Sequence, residues 1–249
     1  QANGAWSLDA SALDARLGAS RWRGSVTAGR NGAGTLRLAS QGQAEAFELT
    51  PWWPAAPRAR LNGRWQLDLQ APPTLRVLPR EASAWLALRG KAQIELADSL
   101  VNGVPLTIDF SAEGERPGWR VQADARAAGN RMQLSGQVAP RADEDRWRAD
   151  IDAPALAALR PLLPAQPATA GLDGALQGQV QTRGRWPLLR TSGTLRATAL
   201  RAGALSAGKL MAQWQAGPDR DAPLNLTLEG EQLRQGEMAF ASLRAAVDG

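Results

Sequence analysis

The chain has 249 residues, 44% of them hydrophobic and 21% charged, with 29 basic against 24 acidic residues for a net charge of +5. That balance is ordinary for a folded chain and too apolar for disorder. Cys, His and Tyr are all absent, which excludes disulfides, thiol nucleophiles, zinc sites of the usual kind and every His-dependent dyad or triad.

In chain order, Gln1–Trp6 lacks the charged start and apolar stretch of a signal peptide. Pro51–Pro57, carrying Trp52 and Trp53, reads as a loop. From there apolar residues recur at every second position, the mark of half-buried strands. Trp65, Leu67 and Leu69 oppose Arg64, Gln66, Asp68 and Gln70. Ala92, Ile94 and Leu96 oppose Lys91, Gln93 and Glu95, and Leu106, Ile108 and Phe110 oppose Thr107, Asp109 and Ser111. Trp119, Val121, Ala123 and Ala125 form the next face, then Met132, Leu134 and Val138 within 131–138, then Trp147 and Ile151 within 146–152. Loops are expected at 101–103, 114–118, 128–130 and 140–145, where Gly, Pro, Asn and Asp gather.

One segment breaks the alternation. Residues 154–163 read as a short helix, with Pro154 in its first turn, Leu156, Leu159 and Leu163 on one face, and Pro161 and Pro164 ending it. The Ala/Pro/Gln stretch 165–170 is a linker, dividing the chain into segments 1–164 and 165–249 of what is expected to be one continuous domain. Strand alternation returns with Leu210 and Trp214 in 210–216 and with Leu224, Leu226 and Leu228. Gly136, Gly174, Gly178, Gly193 and Gly230 inside these runs predict bulges or tight bends. No apolar run approaches the ~18–20 residues of a membrane-crossing helix, and the chain stops at 245–249 with no closing element. The expectation is a middle section of a longer protein, whose anchor lies outside it.

The chemical motifs are thin. Residues 203–210 approach the phosphate loop G-x-x-x-x-G-K-[ST], but Leu210 replaces the hydroxyl and the following alternation is a strand where a helix is needed. Ser206 and Lys209 have the spacing of a Ser–Lys nucleophile pair without its helix. Asp143, Glu144 and Asp145 sit side by side in a loop, pointing apart, and read as a solvated hairpin tip; a glycosidase pair flanks one bond at ~5–9 Å. All but Lys91 and Lys209 of the basic residues are arginine, interleaved with acids on polar strand faces, which is a poor match to a nucleic-acid surface. No enzyme, cofactor or metal is expected. Ten Trp, four of them on apolar strand faces, suit either core packing or contact with lipid. An all-β chain with so little helix must close its sheet as a sandwich or barrel, or leave an apolar trough that a ligand covers.

The order of these motifs resembles the TamB family of the AsmA-like superfamily, bridge-like proteins of diderm bacteria. The resemblance rests on the Leu/Pro segment 155–164, the "L-x-G-x-L-x-G" run 172–178, the "G-x-x-P-x-L-x-x-G-x-L-x-A" run 184–197 and the "A-L-x-x-G" turn that follows. Leu49-Thr50-Pro51-Trp52 ahead of Leu67-Asp68-Leu69 is similar to the family's interior repeats. The resemblance covers residues 45–249. It implies an elongated, curled antiparallel sheet forming an open apolar trough (a β-taco), lined by the twenty large apolar residues from Trp65 to Leu228 named above other than the helix leucines. It also implies a periplasmic protein of a Gram-negative bacterium, tethered to the inner membrane by an N-terminal anchor. Its partners would be phospholipids carried between the membranes and an outer-membrane barrel of the Omp85 type, TamA, with a role in outer-membrane protein assembly. The alternative is a closed structural or scaffold β-domain that binds other proteins.

Overall fold

The computed structural model describes residues 5–51, 53–73, 86–115, 118–164, 166, 169–185, 188–218 and 224–248. Their strands are Trp6–Leu17 (β1), Ser20–Arg30 (β2), Leu36–Phe47 (β3), Ala59–Ala71 (β4), Arg89–Val101 (β5), Val104–Glu115 (β6) and Gly118–Ala127 (β7). Asn130–Val138 (β8), Arg146–Ala153 (β9), Asp173–Arg183 (β10), Arg190–Ala202 (β11), Leu205–Ala216 (β12), Asn225–Gln235 (β13) and Met238–Asp248 (β14) follow. They form a single open antiparallel sheet of 14 strands in sequence order, with β1 and β14 at its two edges. The all-β antiparallel expectation is met, and no helix of the described residues is long and apolar enough to cross a membrane.

Short turns explain the sequence order, because an antiparallel neighbour needs only a hairpin. Asn102 and Gly103 sit at φ 48° and 79° between β5 and β6, and Ala128 and Gly129 at φ 46° and 82° between β7 and β8. Two consecutive positive φ values make the turn whose twist matches that of the strands.

The expected helix is present but differs in kind. Leu156–Leu162 is a 3-10 helix that starts after Pro154 and holds Pro161 inside it. The proline withholds one N–H from the i→i+3 ladder, a small loss in so short a helix. Leu156 is buried, whereas Leu163, expected on the same face, is the exposed residue that ends the helix. A second short 3-10 turn, Ala142–Glu144, occupies the β8–β9 loop.

The chain divides into two compact units, Gln1–Ala123 with Gln137–Pro140 and Asp124–Gly136 with Arg141–Gly249. In the first, Leu69, Ala71 and Leu88 form a small buried cluster against Leu36, Leu67 and Trp119. Near the ends of β3 and β5, Ala46 and Asp98 adopt φ 48° and the strand register shifts beside each. Asn62 of β4, between these two bulges, ties them together. Its Oδ1 accepts from the Ala46 N–H at 2.7 Å and its Nδ2 donates to the Asp98 carbonyl at 2.7 Å. Ser99 Oγ accepts from the Asn62 N–H at 2.9 Å, and the Ser20 hydroxyl donates to the Ala46 carbonyl at 3.0 Å. Bulges free backbone groups from the ladder, and these side chains supply their partners. In the second unit, Gly174 at φ 101° marks the register shift at the start of β10, as expected of a strand glycine.

Candidate functional site

Strand pairing sorts every side chain onto one of two faces. In the first unit one register row runs Leu8–Ala28–Leu38–Leu69–Gly90–Gly114 across β1 to β6. Two rows along on the same face is Leu13–Gly24–Gly42–Trp65–Ile94–Phe110, and the row between them is Ala10–Val26–Ser40–Leu67–Ala92–Ala112, apolar but for Ser40. In the second unit the rows are Ala149–Val180–Gly193–Trp214–Leu226–Val247 and Ile151–Gly178–Leu195–Ala212–Leu228–Ala245 across β9 to β14. Apart from Ser40, each row is apolar or glycine from end to end.

The glycines in these rows have a different use from the one the sequence suggested. A Cβ on Gly42 would lie 2.4 Å from the Trp65 ring, on Gly114 2.6 Å from Trp119, on Gly136 2.2 Å from Trp147 and on Gly193 2.6 Å from Trp214. Four tryptophans thus lie flat over glycines of the neighbouring strand. Gly136 and Gly193 are seats for indole rings, Gly178 seats Leu195 of the next strand, and Gly230 receives Leu233 of its own strand; none of the four has a positive φ. Trp22 stacks on Trp65 with centroids 5.5 Å apart. The indole N–H of Trp65 donates to Ser40 Oγ at 3.0 Å and that of Trp214 to Thr191 Oγ1 at 3.2 Å. Their polar handles are satisfied within the sheet, so the rings present carbon outward.

Nothing among the described residues covers this face as a second layer. Of the twenty residues expected to line a trough, Leu69 alone is buried; Ile94 is 43% exposed, Met132 46%, Leu224 48% and Leu226 38%, and the remainder are half-buried. Leu224 falls just before β13. The chain exposes 16395 Å², where a globular fold of its mass, 26.5 kDa, would expose about 10,700 Å². Alternation missed Leu36, Leu38, Leu176, Val180, Leu195 and Val247, which share the face by register. For all of them but Val247, which faces Leu226, the signal available was a glycine or alanine opposite the large residue.

The opposite face is ionic. Lys91 pairs with Glu113 at 3.0 Å, Lys209 with Glu231 at 3.1 Å and Arg244 with Glu229 at 3.3 Å, each directly across a strand pair. Arg64 pairs with Glu95 in the same manner, and Arg37 reaches Asp68 at 2.7 Å. Arg131 bonds Asp124 and holds its carboxyl below the usual range against the opposing effect of burial, with Arg126 adding to the lowering. Asp150 is lowered by Arg148 and then by the Gln179 amide. The acidic run is less uniform than a solvated tip: Asp143 and Glu144 are exposed, but Asp145 is buried and receives both a 2.8 Å and a 2.9 Å bond from the Arg185 guanidinium. The 203–210 stretch is a hairpin, with Gly203 at φ 58° leading into β12, as its alternation indicated.

No family model matches the chain, and comparison with curated proteins and with solved structures finds no match either.

Proposed function

We propose that the apolar face holds the acyl chains of phospholipids and that the chain is a bridge-like lipid-transfer segment of the TamB type. The observation that carries this reading is the pair of unbroken apolar rows in each unit on a face without a second layer. Six strands at ~4.8 Å spacing span roughly 24 Å, longer than the ~15 Å of one leaflet's acyl chains. Each methylene withdrawn from water contributes about 0.8 kcal/mol, and rows with no charge offer no fixed stopping point, so bound chains slide. Transport is then passive partitioning and diffusion, with direction supplied from outside the segment. In the same reading the protein works in the periplasm, tethered to the inner membrane and meeting an Omp85-type barrel, with outer-membrane assembly as a linked role. The competing closed β-core requires a sheet that closes on itself, and this sheet is open.

Native mass spectrometry of the purified chain in the absence of detergent, with lipid extraction of the same sample, tests the proposal. Copurifying phospholipid that is lost when Ile108 or Leu134 becomes Arg in a still-folded variant supports it. A lipid-free, monodisperse protein contradicts it and turns attention to a protein partner for the same face.

A further inference from the structure

On the ionic face of the second unit three arginines stand in one register row. Arg146 of β9 stands directly opposite Arg183 of β10, and Arg183 directly opposite Arg190 of β11. Like charges placed across a strand pair destabilise a sheet, whereas Lys209 and Arg244 of the same unit meet Glu231 and Glu229 across theirs. The acids just before Arg146 are engaged with other partners. Asp145 is held by Arg185, and Asp143 and Glu144 lie 3.5 Å and 3.7 Å from Arg141. Arg146 and Arg183 have no ion pair among the described residues. The Asp145–Arg185 pair also joins the residue before Arg146 to a residue just past Arg183, and the Gly184 N–H donates to the Asp145 carbonyl at 2.9 Å. That clamp fixes the ends of β9 and β10 and keeps the like charges in register.

Two residues along from this row, on the same face, Gln181, Ser192, Gln215 and Asn225 form an uncharged stretch in register across β10 to β13, with Arg148 at its β9 end and Asp248 at its β14 end. With Thr194 and Gln213 in the next row, it lines a shallow depression of about 400 Å³ in which no lining residue is ionisable. The row-to-row distance is roughly 7 Å, two residues of extended chain. Neutral amides and hydroxyls both donate and accept hydrogen bonds, as the hydroxyls of a polyol require, whereas guanidinium groups suit phosphate oxygens.

We propose that this face of the second unit binds a phosphate-bearing polyol, its phosphate on the Arg146–Arg183 pair and its hydroxyls on the amide floor. The site lies on the face opposite the proposed lipid lining and stands without it. Such a ligand comes either free or as a lipid headgroup. Calorimetric titration of the full chain at low salt tests the proposal, with inositol 1-phosphate, myo-inositol and inorganic phosphate as separate probes. Inositol 1-phosphate is expected to bind at least tenfold more tightly than either fragment, to lose tenfold or more in the Arg146→Gln/Arg183→Gln variant, and to fall to the level of phosphate in Gln215→Leu. The double variant should melt no lower than the parent at low salt, because it removes repulsion. Equal binding of inorganic phosphate, an unchanged affinity in the arginine variant, or no binding of any probe overturns the site. Phosphatidylinositol in phosphatidylcholine vesicles, compared with soluble inositol 1-phosphate, assigns the source: preference for the vesicle marks a headgroup, preference for the soluble probe a free polyol.

Discussion

The four tryptophan–glycine pairs are the residue-level device that lets one layer of sheet stand without a second. An indole lying flat over a glycine buries one ring face against backbone and leaves the other for whatever meets the sheet. Adding a methyl at Gly136 places it 2.2 Å from the Trp147 ring, so Gly136→Ala must lift the ring. We expect a loss of about 1–3 kcal/mol in denaturant unfolding, with a red-shifted tryptophan emission; an unchanged midpoint and spectrum would show that the ring is not seated there. The acids on the other face set an acid limit. Asp124 and Asp150 titrate below their ordinary 3.8 in the folded chain, so near that pH the unfolded chain binds more protons. Their contribution is complete above 3.8 and is lost as pH falls through the lowered native values. Melting temperature should therefore decline as pH is lowered through this window, and Asp124→Asn should reduce the slope.

Elements with large apolar residues were legible in the sequence, and those with small ones were not. The alternation in β4 to β9 and in β12 located those strands directly, because Trp, Leu and Ile mark one face. β2 and β3 carry Gly24, Ala28, Ser40, Gly42 and Ala44 on the same face, and residues that small give alternation no contrast. They are small because Trp22 and Trp65 cover that ground, so the pattern is complete only when neighbouring strands are read together. The Asn62 bridge between two bulges escaped for a related reason: its partners lie on other strands and are backbone groups. Strain is concentrated at turns and bulges. Ala128 holds φ 46° in a hairpin turn where asparagine is favoured, and a residue with a Cβ costs about 1 kcal/mol there. Ala128→Asn should raise stability by about 1 kcal/mol, read as a higher midpoint with an unchanged denaturant slope; a lower midpoint would mean that the turn is of another kind.

For the molecule as a whole, an open sheet has two consequences, unpaired edges and an apolar face without a second layer of its own. β14 is exposed at every residue and presents Phe240, Leu243 and Val247, a template on which another strand can pair. Concentration-dependent association is expected, and Leu243→Lys with Val247→Lys should suppress it in sedimentation; association that persists would place the contact elsewhere. The identity of what covers the apolar face was not legible from composition or from alternation, since a sandwich core and a ligand-lined trough share both. The open sheet bears on the fold alone; what covers the face is tested with the tryptophans as the probe. The most direct test is quenching of tryptophan fluorescence by phospholipids brominated along the acyl chain, against the same lipids unbrominated. If acyl chains lie on the apolar face, brominated chains quench the emission in proportion to lipid bound, and Ile108→Arg diminishes the effect. Emission indifferent to chain bromination at saturating lipid would contradict the account.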